Sequence, residues 1–169
     1  MIALNHSSSP QRLAIHLNDH RAIITGELAL TRRARANHVG TVLGHHLTRH
    51  LGEVSLDLDL VDALIAGIGG RIDHLKSFGA LIAERLGRLK PNGQLVGSSP
   101  LSDVVELEVL GAASHIRTTM WASLLDAEVV PASFIDRVAA RRDAAGEQLD
   151  QLHDHLRTAV NEAFDAASR

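Results

Sequence analysis

The sequence predicts an all-α protein, folded as an antiparallel four-helix bundle with a short extra helix in its long crossover. Three observations lead to this prediction. The alternation of β-branched and polar residues that is typical of strands is absent, and Ala and Leu dominate instead. Leu and Val recur every three or four positions over stretches of roughly 30 residues, which is the period of an amphipathic helix. Proline and glycine signals separate these stretches.

Five helical segments follow from the apolar stripes and the breakers between them. Their predicted ranges are 10–38, 41–68, 71–89, 100–126 and 131–166. Ser9-Pro10 and Ser99-Pro100 each place a serine at the N-cap and a proline at the first helical position. Gly40 ends the first segment, and Thr41 can cap the second.

The connections between the segments predict the topology. Four segments are long, about 40 Å at 1.5 Å per residue. Tight joints at Gly40 and near Val130 predict two antiparallel hairpins, and the stretch 69–99 between them is a long connection. Two hairpins and one long crossover are the connectivity of ferritin-like bundles. We expect residues 1–169 to form this single domain.

Composition excludes several classes of protein. The absence of Cys excludes disulfides, thiolate metal sites and cysteine catalysis. Aromatic residues make up only 2%, and the net charge is −3, which argues against nucleic acid as a partner. No apolar run reaches the roughly 18 residues of a membrane span, and no signal-peptide pattern opens the chain. A cytoplasmic location is therefore expected.

Polar residues near the middle of the long segments are the candidates for a functional site. The predicted metal-ligating residues are Glu27, Glu53, Asp57, Glu108, His115, Asp150 and His153. All seven lie within about two helical turns of the segment centres, so they could meet at one level of a bundle. Carboxylates and imidazoles together are the ligands of two-iron and two-manganese sites.

The spacing of these residues leaves a second interpretation open. A two-iron bundle normally supplies Glu-x-x-His from two helices. Asp150 and His153 approximate that motif with Asp in place of Glu, whereas His50 and Glu53 give it in reverse order. In the alternative, the same residues flank the apolar stripes of amphipathic helices and are solvated or paired with arginines.

Two stretches of sequence carry a resemblance to known proteins. They are Leu17-Asn18-Asp19-His20, and the stretch from Gly87-Arg88-Leu89-Lys90 through Ser99-Pro100-Leu101-Ser102 to Val105-Glu106-Leu107-Glu108. They resemble a family of uncharacterised, mostly actinobacterial helical proteins, over most of residues 13–125. At the level of the fold the chain resembles the ferritin-like superfamily. That resemblance implies a two-metal carboxylate site, with Glu27 and carboxylates of the other helices as ligands.

Two hypotheses of function follow, and whether the protein is an enzyme stays open between them. In the first, two Fe or Mn ions handle oxygen, peroxide or metal, with Glu27, Glu53, Glu108 and His153 as ligands. Asp57, His115 and Asp150 are then alternates or supporting residues. In the second, the bundle is a non-catalytic scaffold or interaction subunit that binds a protein partner through its surface, and no cofactor is needed.

Surplus apolar residues predict a homodimer. Leu56, Leu60 and Leu64 widen the stripe of the second segment beyond the roughly 100° that a monomeric bundle needs. Leu107, Leu110 and Trp121 do the same in the fourth segment. We expect the crossover helix to cover part of this surplus and a second copy of the chain to cover the rest.

Overall fold

The structure is a computed structural model that describes residues 9–73 and 100–165. These residues form four long helices and no strand, so the all-α prediction is confirmed. The helices are α1 (Ser9–Asn37), α2 (Val42–Gly67), α3 (Pro100–Asp126) and α4 (Ile135–Phe164), and a 3-10 turn (Ala132–Phe134) precedes α4. The predicted short helix 71–89 is not helical over 71–73, and the rest of it lies outside the described residues.

The turn between α1 and α2 has the chemistry that the sequence predicts. Gly40 adopts a φ of +79°, in the left-handed region that favours glycine. The Thr41 hydroxyl accepts a hydrogen bond from the Gly44 amide at 3.0 Å and so caps α2. This short turn makes α1 and α2 an antiparallel hairpin.

Contacts between the hairpins give the direction of each helix. His38, past the end of α1, pairs with Asp103 near the start of α3 at 3.1 Å, so α1 and α3 are antiparallel. The ring of His46, early in α2, lies 4.5 Å from that of His155, late in α4, so these helices are also antiparallel. It follows that α2 and α3 run in the same direction.

The core consists of two apolar clusters, one in each half of the bundle. The larger includes Leu17, Val61 and Trp121, and the smaller includes Leu47 and Leu152. The apolar residues that predicted a dimer interface mostly belong to these clusters: Leu60, Leu64, Leu107, Leu110 and Trp121 are each no more than 2% exposed. Only Leu56 of that set is exposed, at 52%. The surplus is therefore covered within the described bundle.

Candidate functional site

A layer of buried polar side chains separates the two apolar clusters at the middle of all four helices. We call it the polar layer; its members are Glu27, His50, Asp57, Ser114, Arg117 and Gln148. Ser114, Arg117 and Gln148 lie in their helices between residues of the smaller and the larger cluster, whereas Glu27 and Asp57 are flanked by residues of the larger cluster. Burying charges here requires that every one of them be paired and hydrogen-bonded.

Arg117 of α3 is the centre of the polar layer and is fully buried. Its Nε donates to Glu27 Oε2 at 3.2 Å, and its Nη2 donates to Glu27 Oε1 at 3.1 Å. Its Nη1 donates to Asp57 Oδ2, and Nη2 also donates to Gln148 Oε1 at 2.9 Å. One guanidinium thus joins side chains from α1, α2 and α4, as its planar set of donors allows.

Asp57 accepts two further hydrogen bonds, one from Trp121 and one from Arg141. The Trp121 indole Nε1 donates to its Oδ1 at 3.1 Å, and Arg141 Nε donates to the same oxygen at 2.7 Å. Arg141 also donates to Glu53 Oε2 at 2.7 Å, nearer the surface. Burial by itself would lower the pKa of Arg141, but the hydrogen bonds and charges of Asp57 and Glu53 outweigh it and raise that pKa.

Glu27 is ionised, and this indicates which ring nitrogen of His50 donates to it. Burial alone would raise the pKa of Glu27, but the Arg117 charge and the hydrogen bonds from His50 and Ser114 outweigh it and lower the pKa. Ser114 Oγ donates to Glu27 Oε1 at 2.7 Å. His50 Nε2 lies 2.9 Å from the same oxygen, and an ionised carboxylate can only accept, so we assign the proton to Nε2. The Nδ1 of a neutral His50 then carries a lone pair.

Beside the polar layer lies a cleft of about 220 Å³ between α2 and α4. Its lining residues are His46, Arg49, His50, Glu53, Ala144, Glu147, Gln148 and Gln151. Two buried nitrogens on this lining, His46 Nε2 and His50 Nδ1, have no hydrogen-bond partner among the described residues. Burial and the nearby His155, His50 and Arg49 lower the pKa of His46 to about 4, against a weaker opposing interaction with the Gln151 side chain. His46 is therefore uncharged at neutral pH.

The structure brings only part of the predicted metal-ligand set together. Glu27 and Asp57 share the polar layer, and Glu53 lies at its edge with Arg141. The other four predicted residues are on the exposed sides of their helices: Glu108, His115, Asp150 and His153. The buried face of α3 passes through positions 107, 110, 114, 117 and 121, so Glu108 and His115 lie one position away from it.

The donor set of the polar layer does not suit two metal ions. Arg117 stands between Glu27 and Asp57 and already neutralises the charge that a metal would balance. Within residues 9–73 and 100–165, no three His, Asp or Glu side chains form a group that could hold a metal ion.

The alternative that these carboxylates pair with arginines is confirmed for Glu27, Glu53 and Asp57, but the sequence did not identify Arg117 and Arg141 as the partners. Arg141 carries no sequence signal of its role, because an arginine on a helix is usually a surface residue. The available signal was the phase of α3, where Ser114 and Arg117 continue the apolar stripe that ends at Trp121. A charged residue on such a stripe predicts a buried partner of opposite charge on a neighbouring helix.

Fold and site together define the class of this protein, a four-helix bundle with a buried salt-bridge layer and a polar cleft beside it. Comparison with protein families, with curated proteins and with solved structures gives no match to the chain. None of the described helices combines the length and the apolarity that crossing a membrane requires.

Proposed function

We propose that this protein is a ferritin-like four-helix bundle that acts by binding a small polar molecule in the cleft between α2 and α4. The ferritin-like assignment is supported by the two hairpins and by the common direction of α2 and α3. In this proposal the polar layer has a supporting role, because the Glu27 carboxylate orients the His50 ring towards the cleft.

One observation carries the proposal: His46 and His50 line the cleft, and His46 Nε2 and His50 Nδ1 are buried without a partner in the described chain. A buried polar group without a hydrogen bond costs roughly 1–3 kcal/mol. More than about 90% of such groups in folded proteins are paired. A bound molecule in the cleft of about 220 Å³ would supply the missing partners.

The two-metal hypothesis has a direct test. Because Arg117 compensates Glu27 and Asp57, we expect no stoichiometric Fe or Mn in protein purified without a histidine tag. Elemental analysis, before and after incubation of the protein with Fe²⁺ or Mn²⁺, measures this. If two ions per chain remained after dialysis, the functional site would be a metal centre and not the cleft.

The binding proposal is compatible with the expected homodimer and cytoplasmic location, but it depends on neither. Leu56 is the one exposed member of the apolar set that motivated the dimer. Light scattering at micromolar concentration separates a monomer of 18.2 kDa from a dimer.

The proposal is tested by blocking the cleft. Ala144 lines the cleft, and Phe in its place fills the space, whereas Ala140 is an exposed position of the same helix outside the lining. Ligand-observed NMR with a library of small polar fragments should give hits for the wild type and for Ala140→Phe that disappear in Ala144→Phe. Hits that persist in a folded Ala144→Phe variant, or no hits on any of the three proteins, would overturn the proposal.

A further inference from the structure

We infer that the cleft takes a small zwitterion with the chemistry of an α-amino acid, whose ammonium group meets the two bare imidazole nitrogens and whose carboxylate meets Arg49. This inference rests on the proposed binding function and names the class of ligand for the same site.

The inner wall of the cleft offers acceptors. His50 donates a hydrogen bond from Nε2 to Glu27, and in the neutral ring this leaves a lone pair on Nδ1. His46 is uncharged, so one of its ring nitrogens carries a lone pair, and Nε2 is a buried ring nitrogen without a partner in the described chain. With the proton on Nδ1, that lone pair lies on Nε2. A ligand that satisfies both nitrogens must bring N–H or O–H donors.

The mouth of the cleft offers one charge of each sign. Arg49 of α2 and Glu147 of α4 both line the cleft, and neither makes an ion pair or hydrogen bond within residues 9–73 and 100–165. The Arg49 charge acts on the imidazoles of His46 and His155, which places it close to the ligand space. A simple cation would be repelled by Arg49, and a simple anion would face Glu147 and two lone pairs. A molecule with both charges is complementary to both sides.

The volume limits the size of the ligand. A cleft of about 220 Å³ lies below the 300–1,000 Å³ typical of sites for drug-sized molecules. It therefore suits a molecule of the size of a single amino acid.

Isothermal titration calorimetry with L-alanine and L-glutamine tests the inference. Ethylamine lacks the carboxylate of alanine, and propionate lacks its ammonium group. We expect at least one amino acid to bind, and both analogues to bind at least about tenfold more weakly. Arg49→Gln and His46→Gln should each weaken amino-acid binding about tenfold or more. His45→Gln should leave it unchanged, because His45 is exposed and does not line the cleft.

The outcomes distinguish failure of the zwitterion assignment from failure of the binding function. Ethylamine that binds as tightly as the amino acids, or Arg49→Gln that binds like the wild type, would overturn the zwitterion assignment. Because Arg49 is exposed, this second variant does not depend on the folding of a core substitution. If neither amino acid binds while polar fragments still bind the open cleft, the zwitterion assignment fails and the binding function stands. If fragments also fail to bind, both proposals fail.

Discussion

Replacing Arg117 by Met removes the cation that contacts both Glu27 and Asp57 in the bundle interior. Loss of one partner from a buried ion pair destabilises a protein by about 3–5 kcal/mol, because the remaining charge stays buried without compensation. Glu27 keeps its hydrogen bonds to His50 and Ser114, and Asp57 keeps other donors, so we expect the lower end of this range.

Urea unfolding at pH 7 measures this loss. With a slope of about 2 kcal/mol per molar urea, a loss of about 3 kcal/mol lowers the midpoint by roughly 1.5 M. Trp121 is the only tryptophan and hydrogen-bonds to Asp57, so its fluorescence reports directly on the polar layer.

A matched control and a double variant complete the experiment. Arg157 pairs with Asp154 on the exposed side of α4, and Arg157→Met should change the free energy of unfolding by at most about 1 kcal/mol. Glu27→Gln combined with Arg117→Met should recover part of the loss, since the amide carries no charge that needs a cation. If Arg117→Met were no more destabilising than Arg157→Met, Arg117 could not be the centre of the layer.

Three further predictions are each checked by urea unfolding. The unfolded chain protonates His46 near pH 6.5 but the folded chain only near pH 4, so wild-type stability falls as the pH drops through this window. His46→Gln should flatten that slope by up to about 1.4 kcal/mol per pH unit, and an unchanged slope would contradict the burial of this imidazole. Gly44→Ala should destabilise the protein, because the new Cβ would lie 1.9 Å from a backbone carbonyl oxygen. Gly52→Ala places its Cβ in open space and should stabilise the protein by about 0.5–1 kcal/mol. Changes of the same sign in the free energy of unfolding of both variants would refute this packing. The side-chain amide of Asn18 donates one hydrogen bond to the backbone past the end of α2 and accepts another from it, so Asn18→Ala should lower the free energy of unfolding by about 1–3 kcal/mol. Asn161 is exposed, and Asn161→Ala should change the free energy of unfolding by almost nothing. Equal effects of the two substitutions would contradict the anchoring role of Asn18.

The helices were predictable because their signals are local. Pro100 begins α3 and Asp126 ends it, as the breakers indicate, and Thr41 caps α2 through its own side chain. These features depend on a few neighbouring residues and need no knowledge of the rest of the fold.

The site was predictable only in part because it depends on helical phase. Glu27 and Asp57 were found since each lies beside a strong apolar stripe. Glu108 and His115 were placed inside although they face outwards, because one position corresponds to a rotation of about 100°. Arg117 could not be assigned from sequence alone, since its burial is tolerated only where carboxylates of two other helices converge on it.

The polar layer also bears on how the helices are aligned along their axes. Seams of Ala and Leu are permissive, since a helix shifted by one turn, about 5.4 Å, still buries apolar surface against its neighbours. The layer is not permissive, because the same shift would move Arg117 away from its acceptors on α1, α2 and α4 and leave several buried charges unpaired. A single level of ion pairs thus selects one axial register for four helices whose apolar seams would accept several.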